Sequence, residues 1–369
     1  MLLDFKITED FQHNDWSKQN LYKMNWRYEE YQTDNSNKFY FFRYVTVNNT
    51  DIGTKYFPCF LQARNVDLQL EKYANYIIRN SDDFINGKLI PVVLDPLEGN
   101  SENDGYVRKL QNKINFCKVY FIDGNYKLSE KHNNYTHYFT NHWVHHVHNT
   151  NEYKIQPLEK DHKIYINLNR VAREHRVKLM SKLIDLNLKD CGYNTWANTY
   201  DGYEMWRKLY PNIESVTYDI LDVENVSEAN PTMEIPVEFC KKSFLYIVTE
   251  THTHEETLFL SEKSYKPMRV GLPFIILGNP GTLELLKKLG FKTFDKWIDE
   301  TYDLSLDLMK RIEIITKEIN RFNNMSVEER LNIREEMKYT LQYNYNHLKT
   351  LKRNSDLVEA LIDIKNRAT

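Results

Sequence analysis

An α/β fold made of two units is predicted by three observations. Short apolar runs ending in charged or polar residues recur along the chain, stretches of helical spacing separate them, and 369 residues suit two domains of ordinary size. The clearest case is Ser243–Gly290. SFLYIVTE (Ser243–Glu250) is an apolar run closed by a carboxylate, and the polar loop THTHEETL leads into LSEKSYKPMRVG (Leu260–Gly271). LPFIILG (Leu272–Gly278) is a second apolar run, followed by NPGTLELLKKLG, a capped helix. Strand, loop, helix, strand and helix in that order make a parallel sheet. Ligands of such open sheets bind beyond the carboxyl ends of the strands, which is where Glu250, Glu262, Lys263 and Lys266 stand.

The rest of the chain extends the pattern. Residues 1–40 show no clear period, and Met24–Tyr31 reads as a helical turn or an irregular arm, whereas Lys38–Val47 is β-prone by its aromatic and β-branched content. Leu70, Tyr73, Ala74 and Ile77 give helical spacing to Val66–Asn80. KLIPVVLDPLEGN (Lys88–Asn100) is a buried-strand run ending in Asp95, Pro96, Glu98 and Gly99; Gly105–Ile114 follows as helix and Phe116–Asn125 as strand. From Lys131 to Lys160 the text turns polar and rich in histidine, and a linker at Asn149–Asp161 separates the two halves. His162–Arg170 restarts the pattern, with Val177, Met180 and Ile184 on one face of the next helix. Asp201–Tyr210 is helical and Asp219–Glu238 irregular. Asp303–Met325 is a long amphipathic helix, Ser326 with Glu329 forms a capping box, and Ser355–Lys365 closes the chain as helix.

Composition removes several function classes. A net charge of -3 and a pI near 6.5 give no global pull toward nucleic acid or an anionic membrane. Cys59, Cys117, Cys191 and Cys240 are widely spaced without a C-x-x-C, as expected of buried thiols in a reducing compartment. There is no long apolar run, and MLLDFKITEDF lacks the regions of a signal peptide, so no membrane partner and a cytoplasmic location are expected.

Four constellations carry chemistry. NLNRVAREHR (Asn167–Arg176) places Arg170, Arg173, His175 and Arg176 between a strand end and a helix; their repulsion needs an anion or acidic partners, and guanidinium forks suit phosphate. The alternative is a solvated basic turn. Glu250 with Glu262, Lys263 and Lys266 is the second, where carboxylates suit sugar hydroxyls and lysines suit phosphate; here Pro267 forces the helix to kink or begin late. The competing view is a surface pair, Glu262 with Lys266. DPLEGN, with Asp95 and Glu98, is the third, or else a structural turn. The fourth is His132, His137, His142, His145, His146 and His148, which lack the companion ligands of a zinc site, so no metal is expected.

Glu262-Lys263 before a helix, then G-x-P-F-I-I-x-G at Gly271–Gly278, resembles the donor-binding segment of GT-B glycosyltransferases, nearest to the fucosyltransferase type. It also resembles uncharacterised glycosyltransferase-like proteins of large viruses and phages. The resemblance runs from about Lys163 to Asp303 and is loose before that. Ser261 before Glu-Lys and Lys266-Pro267 after it depart from the fucosyltransferase pattern, at positions that would line the donor pocket.

The resemblance implies two facing Rossmann-like domains of GT-B type: an acceptor domain over 1–155, a nucleotide-sugar domain over 156–325, and C-terminal helices over 326–369 packing back on the first. It implies transfer of a sugar from a nucleotide diphosphate to a hydroxyl, with no cofactor beyond that donor and no metal. Arg170, Arg173, His175, Arg176, Glu250, Glu262, Lys263 and Lys266 would bind the donor. Asp95 or Glu98 would be the base, with His142, His145 and His146 next in line. The acceptor is a glycan, a small metabolite or a hydroxymethylated pyrimidine in DNA, for which Arg108, Lys109 and Lys113 would supply a basic groove; the host cytoplasm is the location if the protein is viral. The alternative is a nucleotide- or glycan-binding module without turnover.

Overall fold

Separate parallel sheets organise the two halves of the chain. The computed structural model describes residues 3–4, 26–27, 29–34, 37–41, 46–47, 50–51, 55–60, 66–95, 99–130, 134–141, 143–144, 153–169, 171–195, 203–215, 235–351 and 355–368. One unit comprises Met1–His142 and Asn354–Thr369, the other Trp143–Arg353.

The first unit contains β1 (Lys55–Phe60), α1 (Val66–Arg79), α2 (Ser81–Ile85), β2 (Leu89–Asp95), α3 (Asn103–Lys113), β3 (Tyr120–Asp123) and β4 (Thr136–Phe139). Its strands lie in the order β4-β3-β2-β1, every neighbouring pair parallel. A strand covered on both faces has no use for polar alternation, and β2 is buried from Leu89 to Leu94. Pro91 is tolerated because pairing of β2 with β3 begins one residue later, at Val92. Leu70, Tyr73, Ala74 and Ile77 of α1 are all buried, as their spacing predicts.

Two expectations for this half change. Around Met24–Tyr31, Glu29–Asp34 pairs with Asn37–Phe41 as an antiparallel ladder, so tertiary pairing overrides the local signal for a turn. The histidine-rich stretch contains β4, whose Thr-His-Tyr-Phe text suits a half-buried edge.

The second unit contains β5 (Lys163–Leu168), α4 (Glu174–Asp185), β6 (Gly192–Thr195), α5 (Tyr203–Leu209), α6 (Val237–Lys241), β7 (Ser243–Thr249), α7 (Glu262–Val270), β8 (Phe274–Leu277), α8 (Thr282–Lys288), α9 (Leu308–Asn323), α10 (Val327–Glu336) and α11 (Lys338–Thr350). Its sheet has the order β6-β5-β7-β8, again parallel throughout, and every residue of β7 and β8 is buried. The helix expected over Asp303–Met325 begins later, at Leu308, because the Asp307 carboxylate caps it by accepting from the Met309 and Lys310 amides. Ser326 and Glu329 form the expected capping box.

The segment 326–369 is shared between the units. α10 and α11 belong to the second, while α12 (Ser355–Ala368) belongs to the first, where Leu361 and Ile364 enter the core. Among the described residues, no helix is long and apolar enough to cross a membrane.

Candidate functional site

The second sheet reverses its direction of growth between β5 and β7: from β5 the chain first adds β6 on one side, then β7 on the other. Crossovers that leave in opposite directions open a crevice at the carboxyl ends of those two strands. Buried polar side chains fasten this edge. Asn167 Nδ2 donates to the Ile247 carbonyl at 2.9 Å, and the Asn169 amide donates to Thr195 Oγ1 at 2.8 Å.

The arginine turn reaches across this edge onto the end of β7. Arg173 Nη1 donates to the Thr251 carbonyl at 2.6 Å. His175 Nε2 lies 2.9 Å from the Glu250 carbonyl, which can only accept, so that nitrogen carries the proton. Arg176 Nη2 donates to the Thr249 and Glu250 carbonyls at 3.2 and 3.1 Å, and Nη1 to Val171 at 3.0 Å. Burial, then Arg173, push Arg176 down to about 10, with Glu250 and Glu262 opposing. Burial and the neighbouring Arg176 hold His175 well below its usual range. The guanidinium of Arg176 therefore braces backbone, while Arg173 is the more exposed of the two. Arg170 lies outside the described residues.

Glu250 is fully buried and meets four donors. Its Oε1 accepts from the Ser261 amide at 3.1 Å and Ser264 Oγ at 2.5 Å; its Oε2 accepts from the Thr251 amide at 3.1 Å and Ser261 Oγ at 2.5 Å. Four donors fill a carboxylate's acceptor sites, and Ser261 is the N-cap of α7, so Glu250 anchors the start of that helix. Gly278 explains the last glycine of the G-x-P-F-I-I-x-G run: a Cβ there would stand 2.9 Å from Thr282 Oγ1 and 3.2 Å from Glu250 Cγ. At the other end of α7, Gly271 (φ 65°) takes the left-handed C-terminal position, where a Cβ would strike Ile155 at 2.6 Å.

α7 runs through Pro267 without starting late, beginning at Glu262. Glu262 pairs with its neighbour, Lys263, at 2.9 Å, and Lys263 Nζ also donates to Ser261 Oγ at 3.1 Å. Burial pushes the Glu262 carboxyl up, but Lys263 and Lys266 together hold it below its ordinary value. Lys266, half-buried, is pushed down to about 8 by burial, with Lys263 and Arg269 in the same sense and Glu262 opposing. Arg173, His175, Arg176, Glu250, Glu262 and Lys263 thus form one neighbourhood around the ends of β5 and β7 and the start of α7.

Sequence reasoning missed His252 and Arg311. His252 follows directly from the strand end, in a loop recognised only as polar. Burial, then Arg173, His254, Lys263 and Arg176, push it down to about 4. Arg311 of α9 is fully buried and ties the Gly278 carbonyl (2.6 Å) to that of Tyr302 (3.1 Å); nothing in an amphipathic helix signals that role.

In the first unit Asp95 ends β2 and accepts from Asn103 Nδ2 at 2.5 Å; Glu98 lies outside the described residues. Beside Asp95 in register is Asp123, fully buried and 2.7 Å from His137 Nε2. His137 is the member of the histidine group that the structure describes; His132, His142, His145, His146 and His148 lie outside. The bases expected to line a groove are paired: Arg108 with Asp104, Lys109 with Asp67 at 3.1 Å, and Lys113 with Glu71. They are the charged face of a helix.

No protein-family model matches the sequence, and no curated protein matches it. Among solved structures, the chain is similar to an alanine mutant of BGT from T4 phage in complex with UDP-glucose. Identity is 11%, over 76% of this chain and 72% of that chain, at a TM-score of 0.31, and so loose a likeness carries no weight for fold or function.

Proposed function

We propose that the protein is a glycosyltransferase of GT-B type, which holds the diphosphate of a nucleotide sugar at the carboxyl edge of its second sheet and transfers the sugar to a hydroxyl. One observation carries this reading. The strand order reverses between β5 and β7, and Arg173, Arg176 and Lys263 are gathered at that reversal. Of the two acids there, Glu250 is saturated by the chain itself. The resemblance of Glu262-Lys263 and Gly271–Gly278 to a donor-binding segment supports the same reading.

The chemistry follows from charge. As the bond from the sugar's anomeric carbon to the diphosphate oxygen breaks, negative charge builds on the diphosphate. Fixed cations stabilise that charge without reorganising, and Arg173 and Lys263 are placed to do so. The acceptor hydroxyl gives its proton to a base as its oxygen bonds to the anomeric carbon, the role that the resemblance assigns to Asp95 or Glu98. No divalent ion is needed in this scheme. Because Arg108, Lys109 and Lys113 are each paired with acids, a glycan or small hydroxylated molecule fits better than DNA as acceptor.

Thermal unfolding against a panel of nucleoside-diphosphate sugars tests the reading. The correct donor raises Tm by mass action, and transfer from it to a hydroxyl acceptor continues in the presence of a chelator. A panel without one stabilising member overturns the donor site; activity lost to chelation and restored by metal overturns the metal-free mechanism.

A further inference from the structure

His252 sits three residues beyond the end of β7, where the sheet reverses. Its loop is held from both sides. Arg173 takes the Thr251 carbonyl, and the Thr251 amide is bound to Glu250. The imidazole packs edge-on to His254 (ring centroids 5.3 Å apart) and to Phe259 (6.5 Å). Its Nε2 is buried and has no hydrogen-bond partner among the described residues. A buried polar nitrogen left unpaired is costly, and each such case calls for an explanation.

The charges around it supply one. The N-cap and first turn of α4 present Arg173 and Arg176, α7 presents Lys263, and its own loop presents His254; every charge that acts on the imidazole is basic. The nearby acids are committed elsewhere: Glu250 to its four donors, Glu262 to Lys263, and Glu256 to His254 at 3.3 Å. An anion placed among these cations reverses the local potential and gives the orphaned nitrogen something to bind.

We infer that His252 becomes a direct contact to the bound diphosphate, its ring turning so that the buried Nε2 meets the anion, becoming protonated as the anion arrives and donating its Nε2–H to a phosphate oxygen. This rests on the proposed donor site and adds to it a proton taken up with the ligand. The free imidazole, held down to about 4, is neutral at neutral pH, so the proton comes from solvent. The sign follows from linkage: a group whose pKa rises on binding makes binding tighter at lower pH. Affinity therefore falls by about tenfold per pH unit from pH 5 upward, then levels off above the pKa of the bound state. Among the described residues of the second unit, Lys266 and Asp303 are also shifted toward neutrality. Lys266, at about 8, responds on the alkaline side, and Asp303, at about 6, faces the Leu283 amide and Arg311.

The experiment is calorimetry with the nucleoside-diphosphate sugar that most stabilises the full chain, in buffers of different ionisation enthalpy. The diphosphate diester of such a ligand keeps both charges throughout, so any proton exchanged belongs to the protein. Proton uptake is expected between pH 5 and 7, absent in His252→Gln and retained in His254→Gln. His252→Gln binds about tenfold more weakly at pH 6, with a flat pH profile. Tight binding with no proton uptake overturns this inference and leaves the donor site standing. Uptake that persists in His252→Gln overturns it too, and places the proton on another group. Absence of binding by the whole panel overturns both.

Discussion

The two sheets are made of similar strands and differ in how those strands end. In the first, the order β4-β3-β2-β1 follows the chain, so each crossover steps the same way and no reversal parts the loops among the described strands. In the second, the reversal between β5 and β7 spreads the loops at one edge, and cations gather there. The buried acids differ accordingly. Glu250 is saturated by four donors and organises the start of α7. Asp123 shares a hydrogen bond with His137, yet its Oδ2 and His137 Nδ1 have no partner among the described residues. A buried carboxylate at a strand end is thus no guide to chemistry until its hydrogen bonds are counted.

The largest expected effect tests whether Asp95 or Glu98 is the proposed base. Asp95→Asn or Glu98→Gln should keep donor affinity and lose about 10²–10⁴-fold in transfer, because a base acts in the transition state while phosphate contacts act already in the ground state. Asp123→Asn should transfer normally. The reverse result, read from turnover with saturating donor, moves the base to the Asp123–His137 pair.

Stability should separate Glu250 from Asp123. Glu250→Ala strands four donors and should cost roughly 3 kcal/mol or more, measured by denaturant unfolding. Asp123 behaves differently. Burial raises its pKa well above 3.8, so the folded state keeps a proton the unfolded state loses, and stability falls as pH rises through that window. His137, pushed down to about 4 by burial, has the opposite sign between 4 and 6.5. The two oppose each other there, and Asp123→Asn should gain stability over the parent chiefly above pH 6.5. A variant less stable than the parent at pH 8 would show that Asp123 is held ionised.

Much of this architecture was legible in the sequence, and the exceptions share a cause. β2, β3, β5, β7 and β8 were visible because strands buried on both faces write continuous apolar runs. β1, β4 and β6 were not, and all three are sheet edges; β8 is an edge too, but its four residues are all buried and it reads as an apolar run. An edge strand tolerates Pro58, or the polar text of Thr136–Phe139 and Gly192–Thr195, because one side has no ladder to serve. The residues of the candidate site were legible as residue types near strand ends. What each one binds was not, since the Ser261 and Ser264 hydroxyls that fill Glu250 lie 11 and 14 positions along the chain. The strand reversal itself is a choice of partner, which no local pattern encodes.

Within the second sheet, bracing and binding cations should also separate. Lys263→Ala should weaken donor binding by about 10- to 100-fold, the loss of one charge-assisted contact of about 1.5–3 kcal/mol, with a small change in Tm. Arg176→Ala takes a donor from the Val171 and Thr249 carbonyls, leaves His175 alone on that of Glu250, and should lower Tm first. Equal losses of stability in both variants would erase the distinction.

The smallest effect belongs to Lys266, which lies half-buried on α7, three residues beyond Lys263. Burial is the main cause that brings it down to about 8, so between pH 8 and its unfolded value of 10.5 the unfolded chain binds more protons, and stability rises with pH across that window. Lys266→Met should abolish this rise and stabilise the protein at pH 7, by about 1 kcal/mol once solvent screening of a half-buried amine is allowed for. Donor affinity should move the other way in the parent, weakening as pH passes 8 and the charge is lost. If calorimetry finds the parent and Lys266→Met equal in affinity from pH 7 to 9, while unfolding still shows the altered slope, Lys266 serves the interior and the binding edge ends at Lys263.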